Sequence, residues 1–124
     1  LNDGTVDFLY SLGIAVHARS LFLQGLLLQT VESWPDFLSP SFRAHHYKFQ
    51  HHLISQGLTF LEAAFIFARS YHSLEALLVG VLTANELRQI LAAWTRSFSG
   101  DIRGFNSWAW DNPADLDPRS WPSK

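Results

Sequence analysis

The chain contains no cysteine and no methionine in its 124 residues. The first absence excludes disulfides and thiolate metal centres and agrees with a cytoplasmic location. The second, together with Leu1 at the start, leaves no internal initiation point, as expected of part of a longer protein or of a processed N-terminus. Charge is sparse too: nine Lys and Arg stand against eleven Asp and Glu, a net charge of -2. That balance carries no electrostatic footprint for nucleic acid or an anionic membrane. No apolar run approaches the ~18 residues of a membrane span, and LNDGTVDF has none of the regions of a signal peptide. Neither nucleic acid nor membrane is therefore expected as a partner. What is abundant is apolar surface, 48% hydrophobic against 16% charged residues, enough for one domain with a modest core.

Val6, Phe8, Leu9 and Leu12 recur at near-helical spacing. Asp3 stands as the N-cap of this short helix and Gly13 as its stop. Residues 14–21 are apolar and β-branched and predict a buried strand, so that helix, glycine and strand follow in the order of an αβ junction. Trp34-Pro35 and Ser39-Pro40 place two proline stops in residues 29–41, which predicts a loop. A helix is expected over residues 42–56, ending at Gly57.

Thr59 and Glu62 have capping-box spacing and open a helix over residues 60–71, with Phe60, Ala63, Ala64, Phe67 and Ala68 on its buried face and Leu61 and Phe65 widening it. Residues 74–81, LEALLVGV, predict a second buried strand. Thr83 and Glu86 form a second capping box, starting a helix through Leu87, Ile90, Leu91 and Trp94 to about Phe98. Residues 100–124 lose all periodicity and read as an irregular aromatic tail, packed on another part of the protein because exposed tryptophans are costly.

Two segments have the chemistry of an anion site. Arg19, Ser20, Phe22 and Gly25 follow the first strand with a guanidinium, a hydroxyl and a glycine, able to present a cation and backbone N–H groups where α/β proteins place ligands. An ordinary strand-to-helix turn is the plainer alternative. Gly80, Thr83 and Glu86 lie at the second strand-to-helix turn, where helix-start donors favour phosphate; as a pattern this is weak.

The histidines His45, His46, His51 and His52 lack an i, i+4 pair and a completing shell, so they read as a solvated helix face with no metal. His17 reads as an interior histidine. The spacing of Asp7 and Tyr10 carries no catalytic pattern.

The stretch GIAVHARSLFLQGLLL at residues 13–28 resembles the seventh strand and cofactor loop of the aldo/keto reductases, in the branch where this reads GVEVHVRSVFLQGLLL. LDPRSW near the end resembles the LDPRRW ending of the same branch. The resemblance extends from Gly4 to Trp121. It implies an α/β fold, the C-terminal portion of a (β/α)8 barrel, mostly helical with two parallel strands, running from helix six to helix eight as a single partial domain. It further implies a dinucleotide cofactor, NADP or NAD, and a small carbonyl substrate in the full-length parent. Ser20 and the backbone near Phe22 match positions at the pyrophosphate, and Arg19 the position beside the nicotinamide, where many members carry an aromatic residue.

Residues 80–90 match the adenosine segment G-x-x-S-x-x-Q-L-x-x-N at Gly80 and Thr83. They depart from it at Glu86, where Gln or Arg is common, and at Ile90, where Asn usually contacts adenine. A carboxylate near the ribose repels a 2′-phosphate and accepts from a 2′-hydroxyl. The catalytic Asp, Tyr, Lys and His of the family come from the first half of the barrel, so no catalytic residue is assigned.

A complete barrel needs about 250 residues. The missing N-terminal half is therefore an expected partner, and poor stability or aggregation is expected of the chain alone. Trp108, Trp110 and Trp121 either line a substrate pocket or seal the barrel exterior. Two other readings are a small helical binding module, with an apolar groove between the helices at residues 60–71 and 86–98, and a relic that binds nucleotide without turnover.

Overall fold

The computed structural model describes residues 4–99 and 104–122. Their contacts gather into two units, residues 4–21 with 61–99 and residues 22–60 with 104–122. The described chain is mostly helical with one pair of parallel strands, an α/β arrangement.

In the first unit, α1 (Thr5–Ser11) buries Val6 and ends as expected at Gly13, whose φ of 72° is the left-handed stop conformation. Its N-cap is Gly4, with no side-chain cap; Asp3 lies outside the described residues. The strands are far shorter than the predicted 14–21 and 74–81: β1 is His17–Ala18 and β2 is Ala76–Leu77. Paired parallel with His17 opposite Ala76 and Ala18 opposite Leu77, they are the two strands found among the described residues, and a two-stranded ladder is marginal. Both are partly solvated rather than buried, and His17, expected inside, is exposed.

Helix α3 (Phe60–Arg69) buries Glu62, Ala63, Phe65, Ile66 and Ala68. The buried face is thus rotated from the predicted one: Ile66 turns inward and Ala64 and Phe67 are half-buried. Glu62 turns inward because its carboxylate meets the Arg96 guanidinium at 2.6 Å. Helix α4 (Ala84–Arg96) starts at Thr83 as expected and passes into a 3-10 turn over Ser97–Ser99.

In the second unit, residues 29–39 form 3-10 and other turns. α2 (Pro40–Ser55) starts two residues before the predicted helix, because Ser39 caps it and Pro40 takes the first helical position. Leu26, Trp34, Leu38 and Phe42 make the core, covered in part by Trp110, Leu116 and Trp121 from the tail. The tail is held by short turns and one four-residue helix, α5 (Pro113–Leu116). The Trp34 indole N–H donates to the Leu26 carbonyl at 3.0 Å, and the Arg43 guanidinium donates to the carbonyls of Val31, Trp34 and Pro35. One cation therefore satisfies the carbonyls of the turns preceding its own helix.

The histidines of α2 do not form a solvated face. His46 is buried, its ring 4.4 Å from those of both Trp34 and Phe60. His45 and His52 pack on Trp108, and His45 Nε2 lies 3.0 Å from the Trp108 carbonyl. The indoles of the tail cover this helix, which a reading of α2 by itself does not reveal.

Candidate functional site

Parallel pairing puts the carboxyl ends of β1 and β2 on one edge of the first unit. The Leu78 N–H donates to the Ala18 carbonyl at 2.8 Å, so the chain leaves both strands side by side. Arg19 and Ser20 leave β1 there, and Val79 and Gly80 leave β2. The structure thus brings together two segments that lie sixty residues apart in the chain.

Arg19 and Ser20 are both exposed, and Ser20 has a left-handed φ of 62°. That conformation is costly for a residue with a side chain, by about 1 kcal/mol or more. It ends β1 by turning the backbone out of the ladder. Phe22 and Gly25 open the second unit. The Phe22 carbonyl accepts from Leu27 N–H at 3.2 Å, and Gly25, at φ 83°, caps the 3-10 turn Leu26–Leu28. Leu23 and Gln24 are left-handed as well, at φ 48° and 56°. Nothing in the hydrophobic pattern announces that run.

On the β2 side, the Thr83 hydroxyl accepts from Glu86 N–H at 3.1 Å. The Glu86 carboxylate reaches back to accept from Leu82 N–H at 2.7 Å and Thr83 N–H at 3.3 Å. Thr83 N–H and Glu86 N–H are among the backbone donors that a helix start offers to an anion, and the capping box engages both. Glu86 also brings its own negative charge to the positive end of the α4 dipole. Another anion at this turn therefore meets like-charge repulsion. Gly80 is exposed, and a Cβ there would meet nothing within 4 Å, so its backbone is open to approach.

Asp7, on α1, accepts from the Ser73 hydroxyl in the loop before β2, a structural contact at the amino end of the sheet. Among the described residues no group of three His, Cys, Asp or Glu is placed to hold a metal ion, and no helix is long and apolar enough to cross a membrane.

A concavity of about 510 Å³ lies in the first unit between α3, β2 and α4, lined by Phe65, Leu77, Ile90 and Trp94 among others. Comparison of the chain with protein-family models, curated proteins and solved structures finds no match.

Proposed function

We propose that the chain is the C-terminal part of a (β/α)8 oxidoreductase of the aldo/keto reductase type and supplies part of a dinucleotide site. The observation that carries this reading is the parallel pairing of β1 with β2, which sets Arg19-Ser20 and Val79-Gly80 on one carboxyl edge. Parallel α/β folds bind ligands at that edge. The element order, helix, strand, excursion, helix, strand, helix, agrees with helix six to helix eight of such a barrel.

In this role Ser20 and the backbone beside it hold the pyrophosphate. Arg19 lies against the nicotinamide and offers a guanidinium face where an aromatic ring is more usual. Gly80 admits the adenosine end and Thr83 starts the helix beside it. Glu86 favours NAD over NADP, since its carboxylate accepts from a ribose 2′-hydroxyl and repels a 2′-phosphate. The proton donor and its supporting residues belong to the missing half, and a small carbonyl compound is the substrate of the assembled enzyme. The exposed side chains of Phe8, Leu12, Ile14 and Leu82 support a missing partner surface in the first unit.

The test is to titrate the full chain with NADH and with NADPH, following energy transfer from tryptophan to the nicotinamide. Saturable transfer with NADH, at least about tenfold tighter than with NADPH, is expected. Absence of saturable transfer with either nucleotide contradicts the reading.

A further inference from the structure

The guanidinium of Arg69, in the last turn of α3, has no counter-ion among the described residues. Its Nη1 is shielded from solvent and has no hydrogen-bond partner. The guanidinium lies against two ring faces: its carbon is 3.2 Å from the Phe98 ring centre and 5.0 Å from that of Trp94. An arginine cannot shed its proton, so a buried and unsatisfied guanidinium nitrogen is an unmet demand for an acceptor. Aromatic faces answer that demand in part, but they supply no lone pair in the plane of the N–H bonds.

Arg69 lines the concavity of about 510 Å³ between α3, β2 and α4, a volume in the range of small-molecule sites. Phe65, Leu77, Ile90 and Trp94 give it an apolar wall. Glu75, the one carboxylate of the lining, is exposed. Phe98 lies on the Arg69 guanidinium although 62% of its own surface faces solvent, so it covers the cation without being wedged in a core. It sits in the 3-10 turn beyond the last residue of α4 and meets the Trp94 ring edge-on at 5.4 Å.

We propose that this cavity binds a small amphipathic carboxylate, its apolar body against Trp94, Leu77 and Ile90 and its carboxylate on Arg69 in place of the Phe98 ring. A carboxylate offers two acceptor oxygens in one plane, which match the fork of guanidinium N–H groups as no ring face does. The cavity shares one residue, Val79, with the dinucleotide edge, and none of Arg19, Ser20, Gly80, Thr83 and Glu86 lines it.

The test is calorimetric titration of the full chain with phenylbutyrate and with its neutral amide. The acid is expected to bind at least about tenfold more tightly than the amide. Arg69→Gln is expected to abolish that preference while the apolar contacts keep the amide affinity unchanged. Phe98→Ala, which uncovers the cation, is expected to widen the acid-to-amide ratio. Should Arg69→Gln lose its helical circular dichroism, the ratios for the wild type and Phe98→Ala decide. Equal affinity for acid and amide, binding of neither, or a preference that survives in folded Arg69→Gln overturns the proposal. Added NADH is expected to leave the acid affinity unaltered, which separates this site from the dinucleotide edge.

Discussion

Ser39 gives both of its donors to Asp115: the backbone N–H to Oδ1 at 3.0 Å and the hydroxyl to Oδ2 at 2.8 Å. The same hydroxyl caps α2 by accepting from Phe42 N–H at 3.2 Å. The buried carboxylate also accepts from the Trp110 indole at 3.1 Å and the Asn112 amide at 2.9 Å. One acidic side chain thus joins the tail to the start of the longest helix, within the second unit.

Replacing Asp115 by Ala leaves those four donors without their shared acceptor. It is expected to cost about 3 kcal/mol, the scale for charge-assisted bonds lost from a buried site, as measured by urea unfolding. Burial pushes this carboxyl up, but the Ser39 N–H and hydroxyl, the Trp110 indole and the Asn112 amide outweigh it and hold it below the ordinary value of 3.8. The folded form therefore favours the carboxylate. The stabilisation is fully present above the unfolded carboxylate range and is lost as pH falls through the lowered folded value. Asp115→Asn is expected to remove this acid-side dependence.

His46 acts in a different pH window. Burial between Trp34 and Phe60 lowers it from 6.5 to about 4, against the opposing pull of the Gln29 carbonyl and with help from repulsion by His45. Between those two values the unfolded chain binds a proton that the folded chain does not. Stability is therefore complete above 6.5 and falls as pH drops toward about 4. His46→Phe keeps the ring stack, and it is expected to flatten the unfolding midpoint across that window. An unchanged slope in His46→Phe would show that another group titrates there.

Gly25 has φ 83°, yet a Cβ there would meet nothing within 4 Å. The cost of Gly25→Ala is thus conformational and not steric, about 1 to 2 kcal/mol. Gln24→Gly, at φ 56° on the neighbouring exposed residue, is expected to be neutral or stabilising by up to about 1 kcal/mol. Thermal unfolding of the two variants should move in opposite directions.

At the start of α4, Thr83→Ala removes one side of the capping box and is expected to cost about 1 kcal/mol. Glu86→Arg tests charge and not only the cap. It removes the carboxylate from the helix start and is expected to raise NADPH affinity relative to NADH by about tenfold or more. A ratio unaltered by Glu86→Arg would place the ribose elsewhere.

The features legible in the sequence are the local ones. Gly13 and Gly57 stop helices because the left-handed conformation is needed within a few residues of the last turn, and Thr83 with Glu86 closes a box three residues long. The parallel sense of the two strands is what the resemblance implies, and the pairing is parallel. Strand length did not follow: among the described residues neither β1 nor β2 has a second neighbour to extend its ladder. The Ser39–Asp115 link was equally invisible, since its partners are 76 residues apart. His46 reads in the sequence as part of a solvated helix face, and the packing of Trp34 and Phe60 buries it. Of the site, the two loops were legible as loops after strands. The turning-back of Glu86 onto the helix-start donors was legible as a capping box, and its consequence for an incoming phosphate emerged only with the geometry.

The most direct test of the account is to follow the backbone amides of the full chain by two-dimensional NMR while NADH is added. Concerted shifts at Arg19 and Ser20 together with Val79, Gly80 and Thr83, saturating with one affinity, are the predicted result. Saturation with those five amides unmoved, or shifts confined to one of the two loops, would contradict a shared dinucleotide site at the carboxyl edge of β1 and β2.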